Sequence, residues 1–224
     1  MSIKALVFDV DGTLAETEEL HRIAFNQAFE EAGLPWHWSS DLYEDLLKVT
    51  GGRERIHAHA EATAFQDIDA AGLHTRKTEI YNELIAAGSI APRRGIETLI
   101  SEGRSQGLRL AIATTTSRAN VVGLFQATFG RELLSAFSSI RTGEDVTIKK
   151  PAPEVYLKVL RDLALAPNEC LAFEDSFNGV TAAKTAGLRC VASPAKYTKA
   201  DRLDQADHVV SCWREVRLDD FIAA

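Results

Sequence analysis

Cysteine is scarce in this chain of 224 residues: Cys170, Cys190 and Cys212 make an odd count, with no CxxC pair among them. That argues against a disulfide framework or a zinc knuckle and fits a reducing compartment. Long apolar runs are missing too. The stretch 3–8 is too short for the core of a signal peptide, and no later stretch reaches the roughly 18 residues of a membrane span. The expected location is the cytoplasm, or a plastid stroma if a transit peptide has been removed, with no membrane partner. Positive charge is in deficit, 25 Lys and Arg against 32 Asp and Glu, and the net charge of -7 comes without a basic stripe. Nucleic acid is therefore not an expected partner. There is no internal repeat and no low-complexity tract. What remains is an ordinary globular composition, 46% hydrophobic and 25% charged, long enough for one domain or one and a half.

Short apolar runs recur along the chain: IKALVF (3–8), LRLAIA (108–113), CLAFE (170–174), LRCVAS (188–193) and DHVVS (207–211). Most are continuous rather than alternating, as strands buried on both faces are. Helical stripes separate them: Ile96, Leu99 and Ile100; Val121, Val122 and Phe125; Val155, Val159, Leu160 and Leu163. Gly107 and Gly187 stand where a helix should stop before its strand. Strand alternating with helix predicts an α/β fold with a doubly wound parallel sheet.

From Glu16 to Gly88 the alternation breaks, and the pattern predicts helices only. Thr17-Glu18-Glu19 reads as a helix start, followed by Leu20, Ile23, Ala24 and Ala28 at helical spacing. Further helices are predicted over 41–49, 53–64 and 75–87. The segment GSIAPRRG, 88–95, suits a return hinge. The expected organisation is a core of residues 1–15 and 89–224 with an all-helical insert, 16–88.

In open α/β sheets ligands bind beyond the carboxyl ends of the strands. The first strand ends in Asp9-Val10-Asp11-Gly12-Thr13, the second in Ala113-Thr114-Thr115-Thr116-Ser117, and the strand 170–174 in Glu174-Asp175-Ser176. Lys149-Lys150-Pro151-Ala152-Pro153 leads into a helix between them. Two aspartates one residue apart repel each other, so the pair calls for cations. Acids, hydroxyls and a lysine at one sheet edge make the composition of a magnesium phosphate site, because Mg²⁺ takes oxygen ligands and keeps places for water and phosphate. A calcium loop of the DxDxDG kind is excluded, since Thr13 and Leu14 stand where an acid or amide and a glycine are needed.

DVDGT, the hydroxyl-rich strand end, KPAPE and EDS, in that order, resemble the four motifs of the haloacid dehalogenase (HAD) superfamily. The resemblance spans the whole chain. It implies a Rossmann-like core with a helical cap of the β-phosphoglucomutase type. AETEELH, LPWHW, LLKVTGGRERI, AIATTTS and IKKPAPEVY are similar to the CbbY-type phosphatases of that group, which act on the Rubisco inhibitor xylulose 1,5-bisphosphate. By resemblance Asp9 is the nucleophile that becomes an aspartyl phosphate, and Asp11 the acid and base. Thr114 bonds the transferring phosphoryl group, with Thr115 and Thr116 beside it in substrate binding, and Lys150 balances its charge. Mg²⁺ is implied, held by Asp9, the Asp11 carbonyl and Asp175, with Glu174 as an alternate or outer ligand.

Specificity should lie in the insert. In Thr50-Gly51-Gly52-Arg53 two glycines expose backbone N–H groups at a helix start, and Arg53 adds a planar donor fork, which suits a second anion. Lys77 is a further candidate for it. Glu16 and His21 face the substrate by resemblance, though a buried hinge histidine fits the position as well. His57 and His59 are expected on the surface, and Trp36 and Trp38 in packing rather than substrate stacking. The expected activity is removal of phosphate from a small sugar phosphate by a monomer. A β-phosphoglucomutase-type mutase or a phosphoglycolate phosphatase shares the core motifs, so both stay open. A non-catalytic phosphate sensor would have no need of Asp9.

Overall fold

The computed structural model describes residues 2–222 except Gln66 and Ser89. The predicted hinge 88–95, and with it the boundary between residues 88 and 89, therefore falls in part outside the described residues. Strands β1 (Ala5–Phe8), β2 (Arg109–Ala113), β3 (Phe137–Arg141), β4 (Cys170–Glu174), β5 (Arg189–Ala192) and β6 (His208–Val209) form one sheet in the order β3-β2-β1-β4-β5-β6. Every pairing is parallel. In register, Phe8 lies opposite both Ile112 and Phe173. The ends of β1, β2 and β4 are thus level, and the residues just after each strand arrive at the same edge.

Side chains on a strand alternate between faces, and here both faces are covered. Leu6 and Phe8 join Leu110, Ile112, Leu171 and Phe173 in one cluster, with helices α5 (Ile96–Ser105) and α6 (Arg118–Leu124) against it. Ala5 and Val7 join Ala111, Ala113, Ala172 and Cys190 in the other, under α8 (Glu154–Leu163) and α9 (Phe177–Thr185). This double burial is why the strands read as continuous apolar runs. The second face carries small residues, which lets α8 and α9 lie close to the sheet.

One strand escaped the pattern. β3 reads FSSIR, and its serines and arginine break any apolar run. It is an edge strand whose polar side chains are satisfied locally: Ser139 and Arg141 both bond Asp162 at 2.6–2.7 Å. A short helix α7 (Arg131–Leu134) precedes it, and α10 (Asp219–Ile222) ends the described chain.

Between β1 and α5 lie α1 (Glu18–Glu31), α2 (Ser40–Leu46), α3 (Gly52–Ala62) and α4 (Ala70–Ala87), with no strand among the described residues. Thr17 does precede the first helix, but its side chain does not cap it. The second helix stops three residues before the predicted Val49. The fourth begins five before the predicted Thr75, because Asp69 caps it by accepting from the Gly72 N–H at 2.9 Å; Gly72, a poor helix former, had hidden that turn. No helix among the described residues is long and apolar enough to cross a membrane.

The four helices enclose an aromatic core of their own. Trp38 is fully buried against Phe25 at 4.6 Å and Phe29 at 4.8 Å between centroids. Trp36 packs edge-on to Phe29, so both tryptophans serve packing, as expected. His57 is exposed, but His59 is buried, which corrects its expected surface position. Ile56, His59 and Ala60 fall on one stripe of α3, and the His59 ring meets Trp36 and Trp38 edge-on at 4.9 and 5.4 Å. Trp38→Ala should cost about 3–5 kcal/mol, the range for removing a large buried aromatic side chain. In a chain of this size that lowers the melting temperature by about 6–20 °C, measurable by circular dichroism. A shift under about 2 °C, the low end of what one kcal/mol gives, would mean that the aromatic cluster does not hold the helices.

Candidate active site

The chain leaves β1 at Asp9, whose N–H still bonds the Phe173 carbonyl at 3.1 Å, and turns sharply at Gly12. Gly12 has φ +77°, and a Cβ there would lie 2.2 Å from the Asp175 Oδ2. Only glycine fits, first for the backbone and second for the carboxylate packed against it. The turn sends the two aspartates to different partners. The Asp9 Oδ1 accepts from the Lys150 ammonium at 2.7 Å, and the same ammonium bonds the Glu174 Oε1 at 2.6 Å. The Asp11 Oδ1 accepts from the Thr17 hydroxyl at 2.6 Å and lies 3.1 Å from the His21 Nε2.

Asp9, Glu174 and Asp175 are all buried, and one oxygen from each lies within 4.8 Å of the others. Burial pushes the Asp9 carboxyl up to about 7, even against the pull of Lys150, and Glu174 adds to the rise. Asp175 is driven well above the carboxylate range by burial and by Asp9 and Glu174. Among the described residues its side-chain donor is the Thr198 hydroxyl at 3.1 Å. Three buried carboxylates face one ammonium, and the Glu174 Oε2 has no hydrogen-bond partner among the described residues. An all-oxygen cluster short of positive charge fits a hard divalent cation such as Mg²⁺.

From Asp11 a chain runs into the helical insert. The Lys77 Nζ on α4 lies 2.7 Å from the His21 Nδ1, and the His21 ring stacks on Tyr81 at 3.8 Å. Lys77 donating to Nδ1 leaves the proton on Nε2, which then donates to Asp11. Burial would raise Asp11, but His21, Thr17 and Lys77 outweigh it and hold the carboxyl well below its usual range. Burial lowers the Lys77 ammonium to about 7, despite Asp11 and Glu18. Burial and Lys77 likewise lower His21, against Asp11.

A cavity of about 1050 Å³ opens above this floor, between the sheet edge and α1–α4. Asp9, Asp11, Thr114, Lys150 and Asp175 line it, with Thr115, Thr116, His21, Lys77 and residues 50–53. Glu174 lies beneath, fully buried. Glu16 is not in the lining. It is exposed, accepts from the Lys196 N–H at 3.0 Å and pairs with Arg93 at 3.4 Å. The Thr114 hydroxyl accepts from the Thr116 N–H at 3.2 Å.

The turn before α3 and the first residues of that helix are held from the sheet side. Asn178 donates to the Thr50 hydroxyl at 2.9 Å and the Lys48 carbonyl at 3.1 Å, and Lys149 pairs with Glu54 at 2.7 Å. The arginines divide differently from expectation. Arg53 is exposed, whereas Arg55 is buried and lies over Phe25 and Tyr43. Its guanidinium bonds the Leu46 carbonyl and the Tyr43 hydroxyl, each at 3.1 Å. The signal was present in the sequence: Arg55 precedes Ile56 on the inward stripe. Thr198, Asn178 and Lys149 left no comparable mark.

Comparison with known proteins agrees with this architecture. A haloacid dehalogenase-like hydrolase family model matches residues 3–187. Protein CbbY of Rhodobacter capsulatus is 51% identical over 209 residues, covering 92% of each chain. The crystal structure of CbbY from Rhodobacter sphaeroides in complex with phosphate superposes with a TM-score of 0.91 at 45% identity, covering 95% of this chain and 96% of that one. A mutant of the same protein, solved with xylulose 1,5-bisphosphate, matches equally well, with a TM-score of 0.91 and the same coverage. β-Phosphoglucomutase from Clostridium difficile, at 20% identity and a TM-score of 0.79, shares the fold, covering 99% of this chain and 100% of that one. With its parallel sheet, helical insert and carboxylate-lined edge, the chain belongs to the haloacid dehalogenase-like hydrolase family.

Proposed function

We propose that the protein is a Mg²⁺-dependent sugar-phosphate phosphatase working through an aspartyl phosphate, and that it removes the 1-phosphate of xylulose 1,5-bisphosphate. The carrying observation is the floor of the cavity, where Asp9, Lys150, Glu174 and Asp175 are packed with too little positive charge. The bisphosphate bound by the Rhodobacter sphaeroides relative supports the choice of substrate. In this reading residues 16–88 are a cap domain on a core of 1–15 and 89–224.

Asp9, Asp175 and the Asp11 carbonyl would hold the metal, with Glu174 behind them. When bound, Mg²⁺ supplies charge neutralisation for the phosphoryl oxygens. Asp9 attacks phosphorus with a carboxylate oxygen as the bond to the sugar oxygen breaks, and Asp11 gives that oxygen its proton. Asp11 then takes a proton from water, which attacks the aspartyl phosphate, releasing phosphate and restoring Asp9. An ionised Asp11 suits the second half. The first half needs a proton on it, and Lys77 and His21 form the adjoining store: Lys77 gives a proton to Nδ1 as the Nε2 proton passes to Asp11. Thr114 and Lys150 orient and balance the transferring group, next to Thr115 and Thr116. At the far end Arg55, with Arg53 and the backbone of Thr50-Gly51-Gly52, takes the second phosphate.

Asp9→Asn should lose at least about a thousandfold in phosphate release with the fold intact, the scale for deleting a covalent step. Near-normal turnover by the folded variant would exclude the mechanism. EDTA should abolish activity and Mg²⁺ restore it, whereas the larger Ca²⁺ should restore little; full activity in metal-free buffer would refute the cation site. Arg55→Ala should cost a sugar bisphosphate about 2–4 kcal/mol in kcat/KM, and p-nitrophenyl phosphate, with no second phosphate, far less. Arg53→Ala, at an exposed position, should cost less than Arg55→Ala. Equal losses on both substrates would assign Arg55 to supporting the insert instead.

A further inference from the structure

Lys150 and Tyr156 converge on one atom. The Tyr156 hydroxyl donates to the Glu174 Oε1 at 2.6 Å, the same oxygen that accepts from Lys150 at 2.6 Å. Tyr156, Lys150 and Glu174 are all buried. The Lys150 Nζ also sits 5.3 Å from the centroid of the Tyr156 ring. Tyr156 lies on α8, just beyond the lysine segment, and α8 is fixed to the small-residue face of the sheet by Val155, Val159 and Leu163. The phenol is thus carried by a rigid element rather than a loop.

This arrangement settles which way the Glu174 carboxylate turns. One oxygen carries two donors and the other, Oε2, carries none among the described residues. A buried carboxylate oxygen left bare is costly, and two such oxygens could exchange by rotation unless something distinguishes them. Lys150 alone cannot do this, because it is shared with Asp9. Among the described residues the phenol bonds Glu174 alone. Gly179 on α9 clears the opposite side: a Cβ there would lie 1.8 Å from Oε2.

We propose that Tyr156 is a positioning residue: its hydroxyl locks the Glu174 carboxylate, and through it Lys150 and the carboxylate cluster, in the arrangement that receives the divalent cation. The inference rests on the cation site proposed above. It assigns Tyr156 no contact with substrate or metal. Partners that orient a site from behind commonly govern affinity by about 10- to 100-fold when removed.

Tyr156→Phe keeps the ring against Lys150 and deletes only the hydroxyl. Mg²⁺ binding to the substrate-free protein, measured by calorimetry, should weaken by about tenfold. If the phenol acts through Glu174, adding Tyr156→Phe to Glu174→Gln should weaken binding by less than twofold further, because coupled residues are not additive. A Mg²⁺ dissociation constant within twofold of wild type for Tyr156→Phe would overturn the proposal. So would a lowered melting temperature of the metal-free protein with no change in that constant, which marks a merely structural hydroxyl. A full tenfold loss on the Glu174→Gln background would overturn it as well. Failure of the wild-type protein itself to bind Mg²⁺ would remove the cation site and this inference together, an outcome distinct from the other three.

Discussion

Lys150 stands between Asp9 and Glu174, and the rest of the site is arranged around the charge it cannot cover. An ammonium and carboxylates taken out of water are costly unless they are paired and hydrogen-bonded. Here one ammonium meets two carboxylates directly, with a third, Asp175, beside them. The sheet makes this crowding possible. Parallel register brings Asp9 after β1 and Glu174 within β4 to one edge, while the close packing of α8 brings Lys150 and Tyr156 in from the side. The deficit of positive charge is then the property that suits the place to a divalent cation, which brings what the protein leaves out and without which a phosphate would meet net repulsion.

Asp9 and Asp11, with one residue between them, live under opposite conditions. The first is buried against other carboxylates and is pushed up to about 7 by that burial. The second is gripped by Thr17 and His21 at the root of the helical insert and is held down. Neighbouring carboxyl groups pushed apart in this way are suited to different tasks. Because the grip on Asp11 comes from Thr17, from His21 on α1 and, through it, from Lys77 on α4, the protonation of Asp11 depends on where the insert sits. Arg93 adds to that dependence. It lies at the return from the insert, and its guanidinium bonds the carbonyls of Gly12, Ser193 and Pro194.

Much of this was legible in the sequence, for identifiable reasons. Strands covered on both faces betray themselves as apolar runs, which made β1, β2, β4 and β5 readable, and the exposed β6 was readable from its short run DHVVS. β3 was not, since an edge strand can be written FSSIR when Asp162 satisfies its polar groups. The floor of the site was readable because its chemistry is carried by residues next to strand ends. The roof was harder. Arg53 stood out for its place after two glycines, but which arginine turns inward depends on the helical phase that points Ile56 and His59 into the aromatic core. Glu16 lies near the site in sequence and turns outward to Lys196 and Arg93. Thr198 and Asn178 reach the site through loop and helix geometry that no local pattern encodes.

The strand order has a consequence for how the chain is made. β1 is synthesised before the other five strands and sits in the middle of the sheet, with β2 on one side and β4 on the other. Ala5 must wait for its partner Cys170, 165 residues later. At ribosomal speeds of about 5–20 residues per second that is on the order of 10–30 seconds. For that interval Leu6, Phe8 and their neighbours have no complete sheet to enter. The helices of the insert, built from local contacts, need no such delay. Asp9 meets Glu174 only once the last central strand has emerged, so a nascent chain carries the first carboxylate of the cluster long before the cluster exists.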